Sequence, residues 1–382
     1  MQLQRRGFLA GAGSLLLAPR VLFAQAATDR RFVFILQRGA ADGLNTVVPY
    51  ADPAYAALRG PLAIDAAGAI RLDGTFALHP ALQGFGQLYT QGQALFVHAV
   101  ASPYRDRSHF DGQNVLESGG TAPYQRKDGW MNRLVGLLPR GGKEAIALAP
   151  TVPLALRGTA EVTSYAPSSL RGPSDDLLLR VQQLYEADAQ LHALWSSAMD
   201  ARDMAGAPGE AGKRQDPAAL GHMAANFLAQ ANGPRIAMIE TGGWDTHSAQ
   251  NPRLAAQLRG LDAMVVALRE GLGEHWRQTV VLVATEFGRT AAANGTGGTD
   301  HGTASAALLA GGAVQGGKVI ADWPGLAPGA LLEGRDVRPT TDLDALIAAT
   351  AADCFGLDRE RVGWVLFPRM GASSALPRIV RA

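Results

Sequence analysis

The stretch RIAMIETGGWDTH, residues 235–247, decides how the rest of the chain is read. Arg235 to Ile239 is an apolar run that reads as a strand. It ends in the Gly242-Gly243 turn, which delivers Asp245 and His247 two residues apart. On an extended or turning backbone, residues i and i+2 can share a side. A carboxylate and an imidazole placed so can converge on one metal ion. Alone, the pair is a weak signal that reads more simply as a polar turn with a solvated Asp and a capping His. The same order of features recurs four more times, and the recurrence gives the pair its weight.

Arg31 to Leu36 (RFVFIL) is a near-continuous apolar run, as expected of a strand buried on both faces. It exits into a tight loop carrying Arg38, Asp42 and Asn45. Asp42 is a candidate metal ligand, with a turn-forming Asp-Gly pair as the plain alternative; Arg38 and Asn45 are secondary candidates. Ala94 to Val100 (ALFVHAV) is a second strand, followed by Ser108, His109 and a helix. Ser108 is a natural N-cap, and a hydroxyl at a helix N-terminus, where unpaired N–H groups attract anions, is a candidate nucleophile. Thr279 to Ala284 (TVVLVA) leads into Glu286 and Arg289, a possible ligand or base and a possible anion clamp. A glycine-rich loop, residues 294–302, carries Asp300 and His301 and precedes the strand Ala304 to Leu309. Helices separate most of these strands, which implies a doubly wound, mainly parallel sheet with its site at the carboxyl ends of the strands.

The 382 residues suit one large α/β domain, and 47% hydrophobic content is ample for its core. A mainly helical insertion is expected around 174–232, with an apolar face running from Ser174 to Met199. The first 26 residues carry Arg5-Arg6-Gly7-Phe8-Leu9, a short apolar region and an A-x-A site, and read as a twin-arginine signal peptide. That apolar region is too short and broken for a stable membrane span. Export through the twin-arginine machinery to the periplasm or beyond is therefore expected. The net charge of +1, with no basic block, argues against a nucleic-acid partner. Cys354 is the only cysteine, which removes thiolate metal sites and thiol nucleophiles from consideration.

The leader and the motifs RGAADGLN, SHFDGQ, GGWDTH, EFGRT and GTDHG together resemble the exported bacterial family catalogued as domain of unknown function 1501. That family is similar to a branch of the alkaline-phosphatase/sulfatase superfamily. The resemblance implies a three-layer α/β/α sandwich with a one- or two-metal site and a nucleophile at a helix N-terminus. By the same resemblance Asp42, Asp245, His247 and His301 are expected as metal ligands, and Ser108, Glu286 and Arg289 as catalytic groups. His109 and Asp300 join Arg38 and Asn45 as secondary candidates. The chain departs from the superfamily pattern in three places. Asp245 and His247 are two apart rather than four, Glu286-Phe287 stands where Asp-His is usual, and Ser108 lacks the Cys/Ser-x-Pro-x-Arg context. The implied activity is hydrolysis of a phosphate or sulfate ester, on a small molecule or a saccharide, with Zn, Mn, Mg or Ca. The alternative is an exported binding or assembly protein that retains the fold and a structural metal.

Overall fold

The computed structural model describes residues 29–139, 144–166, 175–186, 188–205, 216–368 and 376–381, so the expected signal peptide lies outside the described residues. In chain order the described strands are β1 (Arg31–Gln37), β2 (Val47–Val48), β3 (Ile70–Arg71), β4 (Ala77–Leu78), β5 (Ala94–Ala101) and β6 (Ala145–Leu148). They continue as β7 (Thr163–Ser164), β8 (Ile236–Thr241), β9 (Thr279–Thr285), β10 (Ser305–Ala310), β11 (Lys318–Ile320) and β12 (Thr341–Asp342). The main sheet runs β11-β5-β10-β9-β1-β8-β6-β7, with β12 beside β5; β2, β4 and β3 form a small separate sheet.

The five long apolar runs become the centre of the sheet because each buries both faces. Along β1, Phe32, Phe34 and Leu36 enter one core while Val33 and Ile35 enter the other. The first core is closed by the helices Trp130–Val135, Leu343–Phe355 and Arg359–Leu366. The second is closed by Gln83–Thr90, Pro217–Ala229 and Gln250–Leu272. The result is the expected three-layer α/β/α sandwich. No described helix is long and apolar enough to cross a membrane.

β1 is parallel to β8 and β9, β8 to β6, β6 to β7, and β5 to β11 and β12. Among the described strands of the main sheet only β10 is reversed, lying antiparallel to both β9 and β5. This reversal brings the fifth motif to the others. The loop before β10 opens at the same edge of the sheet as the loops after β1, β5, β8 and β9. The register keeps that edge level, with Gln37 beside Thr241 and Thr285.

The stretch expected to carry one apolar helical face from Ser174 to Met199 is not one helix in the described residues. Two helices, Asp175–Tyr185 and Ala189–Ala205, replace it. Asp188 ends the continuity, since its carboxylate accepts the Gln190 and Leu191 N–H groups as an N-cap does. The apolar pattern ran through this break because a capping Asp does not interrupt a 3.6-residue period.

Candidate metal centre

Three histidines and one aspartate meet at the level edge of the sheet. Asp245 sits in the loop after β8. His109 opens the helix His109–Ser118 after β5, and His301 lies in the loop before β10. His109, Asp245 and His301 each offer one ligand atom, all within 4.8 Å of one another. His247 joins them, with its Nε2 3.0 Å from Asp245 Oδ1 and 2.9 Å from His301 Nε2. His301 Nε2 is itself 3.4 Å from Asp245 Oδ1, and His109 Nε2 is 3.5 Å from Oδ2.

The other nitrogen of each ring explains the arrangement. His109 Nδ1 lies 2.8 Å from Glu286 Oε1, His247 Nδ1 3.1 Å from Asp300 Oδ1, and His301 Nδ1 2.9 Å from the Arg107 carbonyl. All three partners are acceptors, so each Nδ1 carries the proton and donates it. With Nδ1 as the donor, Nε2 of each ring is the atom turned toward Asp245, and in a neutral ring that atom is a lone pair. This is how metal-ligating imidazoles are held, with an oxygen fixing the tautomer and the ring plane. In neutral rings the His247 and His301 lone pairs, 2.9 Å apart, would repel, and a cation between them would remove the conflict. His109 Nε2 is moreover buried without a hydrogen-bond partner. An orphaned acceptor of this kind is costly unless it is filled. The residues therefore fit a bound cation.

Charge is arranged to match. Burial would raise the Asp245 carboxyl, but Arg289 and the neighbouring histidines pull it below its ordinary value. Burial likewise works to raise Glu286, and the hydrogen bonds from His109, Gln113 and the Gly39 N–H together bring it below. The Glu286 bond in turn raises His109. Desolvation lowers His301, helped by Arg289 and by His109 whenever that ring is protonated, and opposed by the Arg107 carbonyl. Gly39 is required where it stands: its φ is +119°, and a Cβ would come within 2.8 Å of the Asp245 backbone nitrogen.

Several expected roles change. Asp42 was expected as a ligand, but its carboxylate is committed elsewhere. It is buried, ion-paired to Arg59 at 2.6 Å, and accepts the Leu44 and Asn45 N–H groups as a helix N-cap and the Gln250 amide. Glu286 was expected as a ligand or base, but one of its oxygens accepts three donors and orients His109 instead. Arg289 was expected to clamp an anion, yet its guanidinium is buried and each of its three nitrogens donates within the protein. Nη1 donates to Asp245 at 2.6 Å, Nε to Thr299 Oγ1 at 3.1 Å, and Nη2 to the Thr299 carbonyl. Asn45 is buried against Tyr55 and the Leu62 carbonyl, and Arg38 is paired with Glu117 and Glu240. Asp300 holds His247 from behind. Ser108 does precede the helix, but its side chain makes no capping bond.

A cleft of about 350 Å³ opens beside the cluster, lined among others by Arg38, Phe110, Gln113, Glu117, Arg157 and Glu240. Gln113 connects the two by donating to Glu286 at 3.0 Å.

The sequence matches the family model described as "Protein of unknown function (DUF1501)" over residues 29–365. The chain belongs to the DUF1501 family. No curated protein matches this DUF1501 chain in sequence. Among solved structures it is similar to Ps i-CgsB in complex with k-i-k-neocarrahexaose, at 12% identity and a TM-score of 0.42, over 88% of this chain and 74% of that one. It is also similar to the C-terminal periplasmic domain of EcEptC from Escherichia coli, at 9% identity and 0.42, over 91% and 89%. A third is the PsFucS1 sulfatase from Pseudoalteromonas sp., at 13% and 0.40, over 87% and 68%. Likeness at this level says nothing about the chemistry of this DUF1501 chain, which is read from its own residues.

Proposed function

We propose that this chain is an exported, metal-dependent hydrolase of phosphate or sulfate esters whose cation is held by His109, His247, His301 and Asp245. The observation that carries the reading is the common orientation of the three imidazoles, each with Nδ1 donating to an oxygen and Nε2 turned onto Asp245. Three nitrogens and one carboxylate suit a borderline ion such as zinc or manganese. Magnesium and calcium prefer all-oxygen sites. The bound cation would supply Lewis-acid polarisation of an ester oxygen.

The chain's own groups supply the rest. Glu286 and Asp300 hold the ligand tautomers, and Arg289 fixes the Asp245 carboxylate. The start of the helix His109–Ser118 presents N–H groups that lack intrahelical partners and favour an anionic ester group. Ser108, immediately before His109, would be the nucleophile. The cleft beside Phe110 takes the remainder of the substrate, a small molecule or a saccharide.

Two features favour a second reading, in which the cation is structural and the chain binds without turnover. Arg289 is spent on Asp245 and Thr299, and Ser108 has no base among its hydrogen-bond partners. The test begins with elemental analysis of protein starting at residue 27, purified without chelator, beside His301→Ala. About one equivalent in the wild type, lost in the variant, supports the metal centre; a folded wild type without metal refutes it. Hydrolysis of p-nitrophenyl phosphate or p-nitrocatechol sulfate, abolished in Ser108→Ala, supports the hydrolase. Metal with no hydrolysis of either ester favours the structural role.

A further inference from the structure

Asp245 and His247 lie on either side of Thr246, and Asp300 and His301 directly follow Thr299. Both threonine hydroxyls donate to one atom, Gln250 Oε1, at 2.9 Å from Thr246 and 2.6 Å from Thr299. All three residues are fully buried. A single amide oxygen therefore joins the loop after β8 to the loop before β10, at the residues adjoining the ligands.

The polarity of this network is fixed from end to end. Arg289 Nε can only donate, so Thr299 Oγ1 must accept from it. The one proton of Thr299 then goes to Gln250 Oε1. That orients the amide, whose Nε2 donates to Asp42 Oδ2. Asp42 is held in turn by buried Arg59. The other end of the chain is Arg289 Nη1 donating to Asp245. No member can reverse without setting donor against donor or acceptor against acceptor. The loops also touch through backbone, with Thr299 N–H donating to the Thr246 carbonyl at 3.2 Å. Gly298 lies so close that a Cβ would stand 2.2 Å from the His247 carbonyl carbon. Those backbone contacts set the loops side by side. The Gln250 amide adds a buried side-chain link: it ties Thr246 to Thr299, which accepts directly from Arg289 and so connects both to the orientation of the Asp245 carboxylate.

We infer that Gln250 is a positioning residue of the metal centre: with Thr246 and Thr299 it fixes the spacing of His247 and His301 and, through Arg289, the direction of Asp245. The inference rests on the reading of the cluster as a metal centre. Gln250 touches no ligand atom of that cluster and acts through the residues it holds.

The test measures zinc affinity by chelator competition in wild type, Gln250→Leu, Thr299→Val and Thr299→Ser. A remote core variant, Leu346→Ala, controls for lost stability. Gln250→Leu and Thr299→Val are expected to bind zinc about 10–100-fold more weakly, the usual cost of losing an outer-shell partner. Thr299→Ser, which keeps the hydroxyl, should bind within about threefold of wild type on the same scale, as should Leu346→Ala. Wild-type affinity in folded Gln250→Leu overturns the inference, and so does a loss that Leu346→Ala reproduces. Amide hydrogen exchange on metal-free protein gives a second readout. Residues 244–249 and 296–301 should exchange faster together in Gln250→Leu and stay protected in Leu346→Ala; unchanged exchange in Gln250→Leu overturns the inference. A wild type that binds no zinc refutes the metal centre itself, and hydrogen exchange then still decides whether Gln250 holds the two loops.

Discussion

Replacing Glu286 with Gln separates two jobs that a buried carboxylate could hold. Glu286 Oε1 accepts from the Gly39 N–H at 2.8 Å, from His109 Nδ1 at 2.8 Å and from Gln113 Nε2 at 3.0 Å. Its Oε2 lies 2.9 Å from Thr285 Oγ1, which also lies 2.7 Å from the Gln37 carbonyl and has only one proton to give. A glutamine keeps Oε1 as the triple acceptor. Its Nε2 donates to Thr285 Oγ1, whose proton goes to Gln37. Every hydrogen bond survives and one buried charge disappears, so stability in urea should change by less than about 1 kcal/mol. Metal affinity should not survive so well. The charge behind His109 makes its Nε2 a stronger donor, and removing such a partner costs about 10–100-fold, or about 1.4–2.8 kcal/mol. Glu286→Ala should instead orphan three donors at about 1–3 kcal/mol each and lose several kcal/mol of stability. Chelator competition gives the affinities and urea melts of the metal-free proteins give the stabilities. Wild-type zinc affinity in Glu286→Gln would show that Glu286 does not act through His109, and the assigned geometry of the centre would fall.

Arg59→Met removes the partner of buried Asp42 and should cost about 3 kcal/mol in urea; the low end of the range applies because Arg59 Nε and Nη1 are already unpartnered. The zinc stoichiometry should stay at that of wild type, and its loss would return Asp42 to the ligand set. Burial lowers His98 to about 4, and the neutral ring donates from Nε2 to the Val47 carbonyl and accepts the Ala99 N–H at Nδ1. A histidine depressed in the fold adds stability that is complete above its unfolded value near 6.5 and is lost as pH falls toward 4. The wild-type minus His98→Gln difference should shrink by about 3 kcal/mol across that window, and a flat difference would contradict it. Cys354 is buried and its thiol is pushed up to about 12, so Ellman's reagent should label it only at the rate of unfolding.

Four of the five loops could be placed from sequence because β1, β5, β8 and β9 are apolar runs that announce themselves as buried strands, each followed by polar residues. The fifth fitted less obviously, since its ligands come before their strand. The reversal of β10 accounts for that, and nothing in SAALLA distinguishes an antiparallel strand from a parallel one. Which polar residues would converge was harder to read. Asp42 and Asp245 both follow strands in glycine-bearing loops, yet one is neutralised by Arg59, which lies 17 residues on, and the other faces three imidazoles. Pairing at that distance leaves no trace in local composition. Gln250 carried no signal either, because a glutamine at the first turn of a helix is ordinary until its oxygen is seen between two threonines.

The charges of the centre give the strongest physical reason to expect a dication there. Asp245, Glu286 and Asp300 bring three negative charges to the three imidazoles, and Arg289 returns one positive charge. Among the described residues Glu286 and Asp300 form ion pairs only with histidines, beside three ring nitrogens that face inward. Metal-free protein can ease this by protonation, and the hydrogen bond to Glu286 raises His109. A proton on His109 still leaves the His247 and His301 nitrogens opposed. A divalent ion offsets the negative charge and meets the inward nitrogens in one step. The same balance explains why Arg289 cannot also clamp a substrate anion: freeing it would remove its positive charge from Asp245 and unhook Thr299. Under the proposed function, an anionic substrate would instead be met by the cation and the N–H groups that begin the helix His109–Ser118.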